Sequence, residues 1–374
     1  MIEVKEERIL ITPEDIPPSS SLFEVIGTIN PGAIRLPSGE IVLYVRVIER
    51  VVKYKDEKYF YAPRFVGENK YKLLLDKFHK KKIVMFSPLD FSFGDGTKRI
   101  TFTSHLRRVI LDQSGLKVKH IDSKPSFFGL SWDGELGVED PRISKINNLY
   151  VMTYVSLSRD ANISTSYAIS NDCKRWYRRG IIFRHQNKDV VIFPEMMNNQ
   201  YVGFQRPEGT FQFSPPSIWV SYSKDLEFWG DPHPFHLTGK NLWDSGRVGA
   251  GPPPIKTSKG WLFIYHGVIE PKISKQKNLK IKKRIKYEVG AALLDLNDPK
   301  KIIAKCEKPI LVPRGKYERG TFESKDVVFP TGAVLDLNGR DVLIYSGGGD
   351  IVTTVKKISL DSIFELMKQN KKVF

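Results

Sequence analysis

Four short blocks of the chain share one plan, a proline followed after a gap by an apolar run ending on an aromatic. Pro141 leads to Tyr150-Val151-Met152-Thr153-Tyr154, and Pro194 to Tyr201-Val202-Gly203-Phe204. Pro254 leads to Trp261-Leu262-Phe263-Ile264-Tyr265, and Pro330 to Val342-Leu343-Ile344-Tyr345. Runs this short and this rich in β-branched and aromatic residues read as strands. The polar residues beside them are equally distinctive: Glu139-Asp140-Pro141-Arg142, Gln205-Arg206-Pro207, Tyr265-His266-Gly267 and Gly349-Asp350. Charged residues at equivalent strand ends of a recurring β unit predict the blades of a propeller aimed at one axial site.

A second repeat has the same period. Ser170-Asn171-Asp172-Cys173-Lys174-Arg175-Trp176 and Ser223-Lys224-Asp225-Leu226-Glu227-Phe228-Trp229 share the spacing Ser-x-Asp-x-x-x-Trp, each after a β-rich run. The Ser and Asp can close a turn on backbone amides, and the Trp can staple that turn to the next strand. This motif is architectural and carries no chemistry.

Composition narrows the class. With 41% hydrophobic and 11% aromatic residues over 374 positions, the chain can fill an ordinary core. It contains no run of eighteen apolar residues, so no membrane span is expected. The mixed charge of Met1 to Arg8 argues against a secretory leader. Only Cys173 and Cys306 are present, too few for a disulfide framework or a metal cluster, and a reducing cytoplasm is the expected compartment. The net charge of +17 admits nucleic acid, an anionic surface or an anionic substrate. Much of it lies in lysine runs, Lys80 to Lys82 and Lys272 to Lys286, that lack the interleaved aromatics of nucleic-acid modules. They read as solvated loops, and no nucleic-acid partner is expected.

Residues 1–30 form a lead-in segment rich in proline and serine. Glu40 to Glu49 reads as a strand, and Lys53 to Lys98 as an irregular insertion with a short helix near Tyr71 to Lys80. The 28 glycines and 23 prolines are spread evenly, as many short strands joined by turns require. Residues 359–370 read as the one clear helix, with Ile363, Phe364, Leu366 and Met367 on overlapping faces and Ser359 or Asp361 as cap. Nothing marks a linker, so residues 1–374 are expected to form one domain.

Six motifs appear in order: Gly137-Val138-Glu139-Asp140-Pro141-Arg142-Ile143, Phe193-Pro194-Glu195, Gly249-Ala250-Gly251-Pro252-Pro253-Pro254-Ile255, Tyr265-His266-Gly267-Val268, Ala291-Ala292-Leu293-Leu294-Asp295-Leu296 and Val328-Phe329-Pro330-Thr331-Gly332. Together, from about Asn30 onward, they resemble glycoside hydrolase family 130, the β-mannoside phosphorylases and related β-mannosidases. The resemblance implies an all-β, five-bladed propeller with the C-terminal helix packed outside. It also implies an inverting reaction in which phosphate attacks a β-linked mannose and releases α-mannose 1-phosphate. No metal or organic cofactor is implied; inorganic phosphate is the co-substrate and a β-manno-oligosaccharide the substrate. Whether the chain forms a homo-oligomer is left open.

Glycoside cleavage needs an acid for the leaving oxygen. Asp140 matches the family's catalytic acid, which is thought to pass its proton through a mannose hydroxyl. The adjacent Glu139 is expected to help Asp140 keep that proton. A phosphorylase also needs cations to hold its anionic nucleophile in line. Arg206, Arg247 and His266 match the family's phosphate-binding positions, with Lys188 joining them. Arg46 and Asn30 match positions near the cleaved mannose, and Asp350 offers a carboxylate to two hydroxyls; these and Glu139 form the expected sugar site. Three departures stand out: Gln205-Arg206-Pro207 replaces His-Arg-Pro, Arg247 replaces a lysine, and Ser104-His105-Leu106-Arg107 lacks a usual arginine. The competing readings are an inverting β-mannosidase or mannosyltransferase, with Glu195 or Glu318 as candidate bases, and a non-catalytic sugar-binding propeller.

Overall fold

The computed structural model describes residues 2–68, 70–209, 213–237, 243–268, 285–320 and 325–369. The repeated blocks are hairpins. In the first, Gly137–Ile146 pairs antiparallel with Leu149–Ser158. Asn187–Ile192 pairs with Tyr201–Pro207 in the second, Arg247–Ala250 with Gly260–Val268 in the third, and Lys325–Leu335 with Asp341–Gly348 in the fourth.

The strand pairing does not give the expected five-bladed propeller. Among the described residues three sheets have four strands each, but a nine-stranded sheet holds every strand from Arg247 onward together with the Val4–Ile11 strand. Its two halves are fused where Ile285, Lys286 and Tyr287 run parallel to Lys325, Asp326 and Val327. Every sheet is an open order of strands, and none closes on itself. The insertion differs as well. Leu73–His79, where a helix was expected, is a strand paired with Tyr59–Phe65, and Ile83–Phe86, Asp90–Phe93 and Lys98–Ile100 form a further small sheet. Phe60 and Phe91 are buried there with Phe78 and Phe93 against them, a cluster that an isolated helix could not have completed.

The Ser-x-Asp-x-x-x-Trp turns form as read. Asp172 accepts from the amides of Lys174 and Arg175, and Asp225 from those of Glu227 and Phe228. Trp229 donates to the Leu226 carbonyl, and Trp176 meets Tyr44 edge-on at 5.6 Å. The Leu360–Gln369 helix buries Ile363, Phe364 and Met367 on Ile2, Leu262 and Cys306. Each such side chain taken from water contributes roughly 1.5–3 kcal/mol. Among the described residues no helix is long and apolar enough to cross a membrane.

The first strands of successive hairpins meet without ladder pairing, and this creates the site. A Cβ on Gly32 would stand 2.8 Å from the Pro141 carbonyl oxygen, so the Phe23–Arg35 strand abuts Gly137–Ile146 at a position only glycine fits. On its other side, the Thr331 hydroxyl donates to the Pro31 carbonyl at 3.1 Å. The ladders of these first strands slip at matching places, between Ile29 and Gly32, Glu139 and Arg142, Lys188 and Val191, and Pro330 and Gly332. Such bulges re-aim a side chain out of the pleat. Asn30, Asp140 and Asp189 sit in them with φ of 48°, 48° and 57°, a left-handed conformation that Asn and Asp tolerate better than bulkier residues.

Candidate active site

Asp140 is buried, and its carboxyl is gripped on one side only. Asn30 Nδ2 donates to Oδ1 at 2.8 Å and Arg46 Nη1 donates to the same oxygen at 3.0 Å. Among the described residues both side-chain hydrogen bonds to the carboxyl fall on Oδ1 and none on Oδ2. Two donors on Oδ1 leave Oδ2 as the oxygen that can carry a proton. Arg46 also donates from Nη2 to Glu139 at 2.6 Å and from Nε to Ser104 at 3.1 Å.

The expected help from Glu139 is countered by Arg46, which stands between the two carboxylates and engages both. Burial pushes the Asp140 carboxyl up, but Arg46, Lys188, Arg142 and the Asn30 amide together hold it below its ordinary value. Without an added anion, Asp140 is a carboxylate at neutral pH.

A second buried cluster lies alongside. Asp189 accepts from Arg142 Nη2 on Oδ1 at 3.1 Å and from Arg206 Nε on Oδ2 at 2.7 Å. Burial opposes its charge, yet Arg206, His266, Arg142 and Lys188 hold the carboxyl far below the usual range. Arg206 Nη1 continues to Glu208 at 2.9 Å, and Glu208 reaches Arg247 Nη2 at 3.1 Å. Lys188 sits opposite Arg206 in the ladder. The clusters are joined by Arg142, whose Nη1 donates to the Asp140 carbonyl at 2.9 Å.

His266 belongs to this cluster but is no cation. Its Nε2 lies 3.6 Å from Asp189 Oδ2, and its ring packs 4.4 Å from that of Phe329. Burial, with Arg206, Arg142 and Lys188, outweighs Asp189 and pushes the imidazole down to about 3, so the ring is neutral. Asp350 lies on an exposed turn with φ of 59°. Its charge reaches Arg46, which Glu139 and Asp140 keep protonated against the cost of burial.

The candidate bases of a hydrolase lie elsewhere. Glu195 is half-exposed and paired with Lys256. Glu318 is buried against Lys356 and the Gly315 amide. The departure at Ser104 to Arg107 resolves by strand alternation: Ser104 faces the site, while Arg107 is buried among His105, the Asp122 carbonyl and the Pro17 carbonyl. Sequence reasoning gave no role to Arg142, Asp189, Ser104 or Glu208. The three residues Asn187-Lys188-Asp189 held a usable signal, since an Asp there parallels Asp140 beside its own bulge. The lysine-rich run from Lys272 falls largely outside the described residues.

A one-sided carboxyl held within one buried network with a nest of arginines defines a site for chemistry on polar, anion-bearing partners. The family follows from the chain itself: the family 130 glycoside hydrolase model, described as β-1,4-mannooligosaccharide phosphorylase, matches residues 101–369, and the protein belongs to that family. A β-1,2-mannobiose phosphorylase of Listeria innocua is 33% identical over 358 residues, 92% of either chain. A 1,2-β-oligomannan phosphorylase of a Thermoanaerobacter species is 36% identical over 230 residues, 61% of this chain and 70% of its own. The structure of the Listeria protein with β-1,2-mannobiose matches with a TM-score of 0.82 at 30% identity, covering 96% of this chain and 97% of that one. A Leishmania mexicana mannose phosphorylase solved with phosphate ion shares the fold, with a TM-score of 0.54 at 16% identity over 98% of this chain and 91% of its own.

Proposed function

We propose that the protein is an inverting β-mannoside phosphorylase that converts a β-linked manno-oligosaccharide and phosphate into α-mannose 1-phosphate and a shortened sugar. Asp140 is the general acid. Asn30 and Arg46 hold Oδ1 and thereby aim Oδ2, a more specific task than the sugar contact expected of them. Arg206, Arg247 and Lys188 bind the phosphate, with His266 as an uncharged hydrogen-bonding group. Phosphate attacks the anomeric carbon from the face away from the leaving oxygen, as inversion requires. The single observation behind this reading is the arrangement of Asp140, open at Oδ2, tied through Arg142 to the arginine nest.

The same charges explain how a carboxyl held low can serve as an acid. A phosphate anion settling on the nest offsets the field of Lys188 and Arg142 and so shifts Asp140 upward, against the Arg46 and Asn30 contacts that remain on Oδ1. The nucleophile thus moves the acid toward its working state. Hydrolysis fits less well. The carboxylates that touch the nest, Asp189 and Glu208, each have two arginines on them, and neither is placed to activate water.

The likeness to proteins named for β-1,2-linked mannosides recommends that linkage first. Incubating the purified protein with β-1,2-mannobiose, with and without phosphate, is expected to yield mannose 1-phosphate only when phosphate is present. Equal cleavage to free mannose in its absence would establish a hydrolase instead.

A further inference from the structure

We infer that Asp189 is the positioning residue of the proposed phosphate site, the group that makes the arginine nest one rigid body and registers it against Asp140; this rests on the phosphorolysis reading. Neither of its oxygens is open. Arg142 takes Oδ1 and Arg206 takes Oδ2, with His266 Nε2 beside the latter. By using Arg206 Nε, while Glu208 uses Nη1, this arrangement leaves Nη2 as the donor turned to an incoming anion. Asp189 never meets the reacting atoms. It acts through the guanidiniums that do.

Three further features fit a positioning role. The residue sits in a bulge with φ of 57°, so its carboxylate is aimed by the backbone rather than by a flexible stem. Next, the strand that carries Arg247 is packed directly on it: a Cβ on Gly249 would stand 2.5 Å from Asp189 Oδ2 and 2.5 Å from His266 Cε1. Only a residue without a side chain lets that strand come so close. Finally, Arg142 runs from Asp189 to the Asp140 carbonyl, so a shift of the Asp189 carboxylate is passed to the backbone of the acid. A misplacement of about 1 Å in such a chain is enough to spoil in-line attack.

The test is a pair of substitutions. Asp189→Asn keeps the shape and removes the charge; Gly249→Ala keeps the charge and pushes the carboxylate aside. For each, KM is measured separately for phosphate and for mannoside, and the melting temperature is followed with and without phosphate. Both variants are expected to raise the phosphate KM at least about tenfold while the mannoside KM stays within about threefold, and to lose the phosphate-induced rise in melting temperature. Variants that shift both KM values together, or leave the phosphate KM where it was, would overturn the inference, since a merely structural carboxylate favours neither substrate. If Asp189→Asn fails to fold, Gly249→Ala decides alone. A wild-type protein that cleaves as fast without phosphate would sink the phosphorolysis reading, and this inference with it. A phosphate-dependent wild type with unselective variants would sink the inference only.

Discussion

Asp140 and Asp189 are the same device used in opposite ways. Each is an aspartate in the bulge of a first strand, with positive φ and full burial. Their surroundings differ by a single oxygen. Asp140 has both donors on Oδ1 and Oδ2 open, whereas Asp189 has an arginine on each oxygen. An aspartate with one oxygen left over can exchange a proton with a substrate. One with none left over is a fixed charge, and breaking such a buried pair costs about 3–5 kcal/mol. On the proposed roles, the number of oxygens already bound separates the two carboxylates where residue type and depth do not.

The largest expected effect tests the open carboxyl. Asp140→Asn preserves shape and the Asn30 side of the network but removes the proton, so turnover should fall by about two orders of magnitude or more while mannoside binding survives. Near-normal turnover would place the acid elsewhere and end the contrast. Next comes the closed pole. Arg206 is 3% exposed and Arg247 is 32% exposed. Arg206→Ala should raise the phosphate KM by about ten- to a hundredfold, and Arg247→Ala by only about two- to fivefold, because a solvated guanidinium contributes less. The reverse order in steady-state kinetics would make Arg247 the principal phosphate residue.

The smallest effect is a pH shift. In its proposed role Asp140 acts with a proton, and in the free protein that proton is lost at a pH below the group's ordinary value. Bound phosphate should raise that point, so the acid stays protonated to higher pH. The alkaline limb of the mannoside rate profile is therefore expected to move upward between subsaturating and saturating phosphate. A limb that stays still would mean that the two poles do not sense one another electrostatically.

The hairpins and the motif around Asp140 were legible because each is local. Glu139-Asp140-Pro141-Arg142 and the turn pairs at Asp172 and Asp225 carry their signals within a few residues. The proline register, however, misled. It aligned Pro194 with Pro141, whereas the ladders slip at Lys188 to Val191 and at Glu139 to Arg142, which sets Asp189 against Asp140. Of the other prolines, Pro31 lies in a bulge as Pro141 does, and Pro330 flanks one. His266 read as a cation since nothing in Tyr265-His266-Gly267 reports burial. The parallel junction at Ile285 to Tyr287 was hidden because it depends on a partner distant in sequence. Leu73-Leu74-Leu75 suits a helix or a strand equally, and only the facing Tyr59–Phe65 strand decides.

The outermost strand of the nine-stranded sheet, Val4–Ile11, pairs with Val352–Ser359, and the Lys5 to Asp341 contact spans 336 residues of chain. A nascent chain leaving the ribosome must carry the Val4–Ile11 strand without its mate until Val352–Ser359 has been synthesised. Closing so long a loop is slow compared with forming a hairpin. Pairing at this edge of the sheet is then expected to come late, and until it forms the rim of Val352–Ser359 is open to strands from other chains.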